Sequence, residues 1–173
     1  MEQTTQSDSA TTKSTIIKQQ SSSNTISKFD NQYDFLNLAY PCTITFNNVK
    51  FTSAAQIFYA QKSLDTNSYI KFSRLNPNKA RAKAANLPDP ENYDELKMDH
   101  LYNANKLKFD QNPSLKKKLL KLKDKKLINN VLYRGEWIGV YLGKGKNALG
   151  KVLMKLRDEY LAEQESEKTN ENN

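Results

Sequence analysis

A glycine-rich, basic loop near the C-terminal end leads into a helix and is the stretch best suited to bind an anion. Residues 137–161 read WIGVYLGKGKNALGKVLMKLRDEYL and hold four of the five glycines. Glycines let backbone amides approach a ligand, and a helix start presents unpaired N–H groups with partial positive charge. Lys144 and Lys146 add to that field. The loop predicts a phosphate site. Because G-K-G-K-N is neither a Walker loop nor a dinucleotide fingerprint, a plain turn before a core helix explains the local pattern as well.

Other reactive residue types are sparse. His100 is the only histidine and Cys42 the only cysteine, so the sequence offers no cluster of metal ligands and no internal disulfide. Cys42 follows Pro41 and has no basic neighbour in the sequence that would activate its thiol. We therefore expect no metal and no cofactor, and a structural role for His100.

Positive charge is concentrated in one segment. The formal net charge is +8, and residues 106–126 contain nine lysines against two aspartates. A basic helix face of this kind is more often a solvated surface than a surface that recognises specific bases, although it can bind the phosphate backbone of a nucleic acid in a salt-dependent way. A nucleic-acid partner bound from Lys116 to Lys126 therefore stays open as an alternative.

Composition limits the class of protein. The chain has 173 residues, 37% of them hydrophobic, and contains no apolar run as long as a membrane span. We expect a soluble, intracellular protein that does not contact a membrane, in the cytoplasm or alternatively the nucleus. Residues 1–28 are rich in Ser, Thr and Gln and residues 162–173 are acidic and polar, so both are expected to be disordered tails around one folded domain, 29–161.

The periodicity of that domain predicts an α+β fold, with helices around a small antiparallel sheet. β-forming residues on both sides of Asn47-Asn48 indicate a hairpin. A helix capped by Thr52 or Ser53 should run to about residue 64. Further helices are predicted from Asn76-Pro77 to residue 85, from residue 95 to 109 (with Leu96, His100 or Leu101, Ala104 and Leu107 inside), and from Pro113. Residues 126–131 are predicted as a short strand or a helix end. The last stretch is predicted as a helix whose buried face is formed by Val152, Leu153, Leu156 and Tyr160.

Three motifs occur in the order that is typical of one family. They are Phe58-Tyr59-Ala60-Gln61-Lys62, Lys108-Phe109-Asp110-Gln111-Asn112-Pro113, and the stretch from Gly143 to Arg157. Together they resemble the NADAR superfamily, also called the YbiA-like or riboflavin-intermediate N-glycosidase family, over about residues 35–161. The resemblance implies a mainly helical, YbiA-like single domain with a small antiparallel β element.

The resemblance also implies an activity. Active members of the family are N-glycosidases that cleave the ribose C1–N bond of ribosylamino-pyrimidine phosphates or of ADP-ribosylated guanine. An oxocarbenium-like sugar requires a carboxylate near C1. The expected partner is thus a nucleotide-like small molecule, a phosphorylated ribosylamine or ADP-ribose. The positions that carry over as ligand-binding are Asn37, Lys62, Arg81, Tyr93, Lys108, Trp137, Lys146 and Asn147.

The sequence departs from the family at its acids. Alignment on Ala60-Gln61-Lys62 puts Ala55 where the family has its catalytic glutamate and Gln56 where it has histidine, while two further acidic positions fall on Asn129 and Gly139. These changes favour a catalytically impaired binder. The alternative is an active N-glycosidase with a relocated carboxylate, for which Glu136 beside Trp137 is the leading candidate. Asp89, Glu91 and Asp94 are weaker candidates.

Overall fold

Six α-helices, one 3-10 helix and two short strand pairs make up the part of the chain that the computed structural model describes, residues 24–63, 65–131, 135 and 137–171. The strands are β1 Thr25–Ile26, β2 Ile44–Phe46, β3 Val49–Phe51 and β4 Lys126–Leu127. The 3-10 helix is Asn31–Leu36, and the α-helices are α1 Ala54–Ala60, α2 Thr66–Ser73, α3 Pro77–Ala85, α4 Tyr93–Asp110, α5 Pro113–Leu120 and α6 Ala148–Glu171. The predicted α+β, mainly helical domain is confirmed.

The antiparallel hairpin β2–β3 forms where it was predicted. Asn47 and Asn48 have φ values of 48° and 60°, the left-handed conformation that a two-residue hairpin turn requires and that asparagine tolerates. Gln111, just after α4, exchanges both of its amide hydrogen bonds with the backbone of Thr45, at 2.8 and 2.9 Å. The side chain thereby ties the hairpin to the end of α4, a core helix.

Helix α1 begins with a capping box. Ser53 is its N-cap, and Gln56 Oε1 accepts hydrogen bonds from the backbone N–H groups of Ser53 at 3.0 Å and Thr52 at 2.8 Å. Gln56 Nε2 donates to the carbonyls of Ser73, at 3.1 Å, and Leu75. The side chain therefore fastens α1 to the end of α2. The helix ends at Ala60, before the predicted end near residue 64.

Helix α2 was not among the predicted elements. Asp65 caps it, because its Oδ1 accepts a hydrogen bond of 3.0 Å from the Asn67 N–H. Phe72 is the residue that α2 contributes to the core. The short length and mostly polar composition of α2 leave only a weak apolar pattern in the sequence.

The core lies around α4, which packs against both α1 and α6. The predicted face of α6 is confirmed, since Val152, Leu153, Leu156 and Tyr160 are all buried. On α4 the predictions of Leu101 and Ala104 as buried are confirmed, and that of Leu96 is wrong: its side chain is 39% exposed because it lies in the first turn, before α4 passes between its neighbours.

Two segments differ from the expected tails. Thr25 and Ile26 pair in parallel with Lys126 and Leu127, and Ile26 is buried. At the other end α6 continues as helix to Glu171, with Lys116 Nζ 3.7 Å from Glu163 Oε2. The core helix simply extends into polar sequence with good helix formers. The limits 29–161 stay a prediction for limited proteolysis, and residues 1–23 lie outside the described part. Within that part, no helix is long and apolar enough to cross a membrane.

Candidate ligand-binding site

Asn147 holds the glycine-rich loop against β4. Its Oδ1 accepts a 2.9 Å hydrogen bond from the Asn129 N–H, and its Nδ2 donates at 2.9 Å to the Leu127 carbonyl. Gly150, in the first turn of α6, permits this contact, because a Cβ there would lie 2.3 Å from the same Leu127 oxygen. The side chain of Asn147, predicted to bind ligand, is thus engaged in the fold.

Lys108, also predicted to bind ligand, is fully buried. Its Nζ donates hydrogen bonds of 2.7 Å to the carbonyl oxygens of Phe35 and Asn37. Burial lowers the pKa of Lys108 to about 8, against smaller opposing effects of Cys42 and Asp34. Within the described structure its ammonium group orders the backbone that leads to Asn37, so Lys108 positions a neighbouring residue.

A cleft rich in amide groups opens beside that backbone. Its larger part has a volume of about 410 Å³ and a neighbouring part about 370 Å³. Asn37 and Asn129 line both parts, Asn130 lines the smaller one, and Leu38, Ile138 and Leu149 form apolar walls of the larger one. We call it the asparagine cleft. Asp34 lines the larger part and Asp30 the smaller part, and the sequence analysis named neither carboxylate. The place of Asp34 directly before Phe35-Leu36-Asn37-Leu38 was the available signal.

The three positions that the family resemblance marks as acidic lie at or next to this cleft. Ala55 is 3% exposed, and its N–H donates at 2.9 Å to the carbonyl of Leu38, a residue of the cleft wall. Asn129 Nδ2 donates to the Ile138 carbonyl at 3.3 Å. Gly139 is closed in, because a Cβ there would meet the Asn129 carbonyl oxygen at 2.3 Å. Each of the three residues is held by close contacts with the backbone, and none has an acidic side chain.

Lys62 belongs to a second region beyond the end of α1, which we call the lysine pocket. A cavity of about 320 Å³ there is lined by Lys62, Leu87, Pro88 and Asp89, among others. Lys62 Nζ lies 2.7 Å from Asp89 Oδ1 and 5.3 Å from the centre of the Tyr93 ring. Burial, and after it the charge of Asp89, raises the pKa of Tyr93. The structure thus brings together Lys62 and Tyr93, two of the residues that the family resemblance marks as ligand-binding.

Trp137 lies between the two regions. Its ring stacks on that of Phe58, with centroids 6.1 Å apart and planes 9° from parallel, and Lys97 Nζ lies 5.1 Å from the ring centre. Lys97 also bonds Asp94, whose pKa is lowered by this pair and, to a lesser extent, by Lys146. Lys146 is therefore near the start of α4. Lys97 is a second cation beside an aromatic ring that the sequence analysis missed.

The other predicted site residues differ in how far the structure describes them. Arg81 is exposed on α3, and its charge opposes the burial that raises the pKa of Tyr59. Glu91 is exposed next to the lysine pocket. Glu136, the leading candidate for a relocated carboxylate, lies outside the described residues.

Comparison with known proteins decides the family. The model of the NADAR domain matches residues 12–161. The chain belongs to the NADAR family. Among NADAR relatives, N-glycosidase R617 of Acanthamoeba polyphaga mimivirus is 32% identical over 127 residues, which cover 64% of this chain and 75% of the relative. N-glycosidase YbiA of Escherichia coli strain K12 is 28% identical over 144 residues, covering 81% of this chain and 89% of the relative.

A solved NADAR structure supports the same fold. The NMR structure of the E. coli protein YbiA superimposes with a TM-score of 0.72 at 26% identity, covering 82% of this chain and 88% of that one. A shorter match, 38% identical over 71 residues, is to the chloroplastic riboflavin biosynthesis protein PYRR of Arabidopsis thaliana; it covers 41% of this chain and 12% of that protein. The predicted membership of the NADAR family is confirmed.

Proposed function

We propose that this NADAR protein binds a nucleotide-like ligand with a phosphorylated ribose and is catalytically impaired as an N-glycosidase. The observation that carries the proposal is the replacement of acids by neutral groups around the asparagine cleft. An amide can donate and accept hydrogen bonds to sugar hydroxyls or a base edge, but it cannot take a proton from water at neutral pH. At these positions the protein can therefore bind a ligand without supplying a carboxylate that acts as a base.

The family's chemistry explains why this replacement matters. Cleavage of the ribose C1–N bond leaves positive charge on the sugar, and a carboxylate that orients water and balances the charge contributes about 10²–10⁴-fold to the rate. Ala55 offers a buried methyl group, and the amide of Gln56 is engaged by backbone groups on both sides. Neither side chain can replace the missing acid.

The distance between the two regions supports a ligand that reaches from the asparagine cleft to the lysine pocket. Lys62 follows Ala55 by seven positions and lies two residues past the end of α1, so the two are separated by roughly 10 Å along the helix and the turn after it. This length suits a base, a ribose and a phosphate. We assign the base and ribose to the asparagine cleft, the phosphate to Lys62, and contacts along the way to Trp137. The ligand class is a ribosylamino-pyrimidine phosphate or ADP-ribose.

Calorimetry tests the binding half of the proposal. Ribose 5-phosphate and ADP-ribose should each bind the wild-type protein, and the Lys62→Ala/Lys146→Ala double variant should bind both more weakly. Lys71→Ala/Lys79→Ala is the matched control, because it removes two exposed lysines outside both regions. Negligible heats with wild type, or equal heats with the double variant, would overturn the proposal.

The active N-glycosidase remains the second candidate, and Asp34 favours it. This carboxylate is exposed at the edge of the asparagine cleft, close enough to Lys108 to raise its pKa against the effect of burial. Asp34 therefore joins Glu136 as a candidate for the relocated acid. The two predict different outcomes: turnover lost in Asp34→Asn, or turnover lost in Glu136→Gln.

A nucleic-acid partner stays a proposal for a different surface. In the described structure Lys116 packs against Tyr160, with its Nζ 3.7 Å from the ring centre, and so faces α6. The exposed lysines of this segment are Lys117, Lys118, Lys121, Lys123 and Lys126. If these lysines bind the phosphate backbone of DNA, the affinity for duplex DNA should fall steeply as the salt concentration rises. Fluorescence anisotropy that showed no salt-dependent binding would exclude it.

A further inference from the structure

Two cations next to aromatic rings are each engaged by a carboxylate from residues 89–94, which comprise the end of the link between α3 and α4 and the first residues of α4. Lys62 Nζ lies 2.7 Å from Asp89 Oδ1, and Lys97 Nζ bonds Asp94. The side chain of Lys62 is 10% exposed and that of Asp89 is 67% exposed. Asp89 consequently lies on the solvent side of Lys62, where an incoming anion would have to approach.

We propose that Asp89 occupies the place of a ligand phosphate on Lys62, and that the group which displaces it is a phosphomonoester. This inference rests on the proposed function and names its ligand more closely. A phosphomonoester carries a charge of about −1.5 to −2 at neutral pH and three acceptor oxygens. A carboxylate carries one negative charge, as does each phosphate of a pyrophosphate bridge. Exchange of Asp89 for a phosphomonoester therefore gains charge at Lys62, whereas exchange for a bridging phosphate does not.

The surroundings of Asp89 suit such an exchange. The cavity of about 320 Å³ is bordered by both Lys62 and Asp89, so a phosphate can lie beside the ammonium while the carboxylate rotates into water. Pro88 and Pro90 flank Asp89 and restrict the backbone on both sides, which confines the movement to the side chain. Tyr93 stays beneath Lys62, at 5.3 Å, and keeps the ammonium in position in either state.

The strength of the competition follows from exposure. An ion pair whose carboxylate is mostly in water is weak, so removal of Asp89 should strengthen binding of an anion by about two- to fivefold and no more. Asp89→Asn keeps the shape of the side chain and removes its charge. Removal of a residue that contacts the ligand would weaken binding, whereas removal of Asp89 should strengthen it. The direction of the change therefore separates the proposal from a simple binding role for Asp89.

The experiment is calorimetric titration of ribose 5-phosphate, ADP-ribose and unphosphorylated ribose into wild type, Asp89→Asn and Glu95→Gln. Glu95→Gln is the matched control, because Glu95 is exposed in the first turn of α4 and carries the same charge. Asp89→Ser serves if Asp89→Asn does not fold. We expect wild type to bind ribose 5-phosphate more tightly than ADP-ribose. Asp89→Asn should bind both more tightly and by a similar factor, because both ligands are freed from the same cost of displacing Asp89, and Glu95→Gln should match wild type.

The remaining outcomes each overturn a different statement. Equal affinity of wild type and Asp89→Asn for ribose 5-phosphate would overturn the role of Asp89 and leave the proposed function standing. Tighter binding of ADP-ribose than of ribose 5-phosphate by wild type would overturn the preference for a phosphomonoester. Absence of binding of both phosphorylated ligands to all variants would overturn the proposed function and this inference with it.

Discussion

The asparagine cleft and the lysine pocket lie at the two ends of α1 and differ in what they retain of a glycosidase site. At the cleft, Asn129 and Gly139 stand where the family resemblance calls for acids, and both are fixed by backbone contacts. At the pocket, Lys62 keeps its charge and meets a carboxylate of the same chain. Under the proposed function, the groups that recognise an anion and the positions that would act at C1 lie in separate regions of one domain.

The largest loss of stability is expected from replacement of Lys108, which lies below the asparagine cleft. Replacement by Met keeps most of the aliphatic stem but removes the Lys108 donor from the Phe35 carbonyl and from the Asn37 carbonyl, which still accepts from the Tyr40 N–H at 3.1 Å. We expect the free energy of unfolding to fall by about 2–4 kcal/mol, since a hydrogen bond from a charged donor contributes about 1.5–3 kcal/mol. Chemical denaturation measures this. Lys106→Met on the same helix is the control, because Lys106 is half-buried at the surface, where its Nζ lies 2.8 Å from Asp110 and 5.5 Å from the centre of the Tyr160 ring. Equal losses in the two variants would contradict the structural role of Lys108.

The same lysine predicts a dependence on pH. Burial lowers its pKa from 10.5 to about 8 in the folded protein. Between these values the unfolded chain binds more protons, so the free energy of unfolding should rise with pH, from about pH 8 towards 10.5. Burial raises the pKa of the Cys42 thiol, which acts in the opposite direction, so the measurement belongs in a Cys42→Ser background. The rise should be absent from Lys108→Met; a rise of the same size in both proteins would refute the assignment.

The next largest loss of stability is expected when an acid is introduced at Gly139. Gly139→Asp introduces a Cβ that would lie 2.3 Å from the Asn129 carbonyl oxygen, so the backbone must move, and we expect a loss of about 2 kcal/mol or more. Gly143→Ala gives the comparison. Its φ of +79° strains an alanine, but the space around it is open, and the expected loss is about 1 kcal/mol. A smaller loss at position 139 than at 143 would show that the cleft is less closed than described.

The two regions should also respond differently to single changes that affect binding. Lys62→Met should weaken ribose 5-phosphate about tenfold, as expected for a charge-assisted hydrogen bond, and leave ribose unchanged. Asn130→Ala, at the exposed edge of the cleft, should weaken both sugars by a similar factor of about three. Titration calorimetry distinguishes the cases. Identical profiles for the two variants would mean that the ligand does not divide between the regions as proposed.

Local signals in the sequence predicted much of the fold. Asn47-Asn48, Ser53 and Asn76-Pro77 each determine a turn or a helix start through contacts a few residues away, and the structure has those elements. The β1–β4 pair was missed, because two-residue strands about 100 residues apart carry no periodicity of their own. Helix α2 was missed for the related reason that its apolar pattern is weak.

The candidate site was less predictable, because burial cannot be read from a residue type. Lys62 and Lys108 are both lysines within family motifs, yet one lies in a pocket and the other donates to backbone carbonyls in the core. Asn147 likewise was predicted as a ligand contact and holds the loop to β4. These distinctions depend on contacts between distant parts of the chain. The neutral residues at the acidic positions, in contrast, were visible in the sequence itself.

The most direct test of the central claim is turnover. Base release is measured from a ribosylamino-pyrimidine phosphate and from ADP-ribosylated guanine, with wild type, Ala55→Glu, Glu136→Gln and Asp34→Asn. We predict little or no release by wild type and at most partial recovery in Ala55→Glu, since Asn129 and Gly139 still lack acids and groups that act as a unit are not regained additively. Robust wild-type turnover would contradict the account, and its loss in Glu136→Gln or Asp34→Asn would identify the carboxylate responsible.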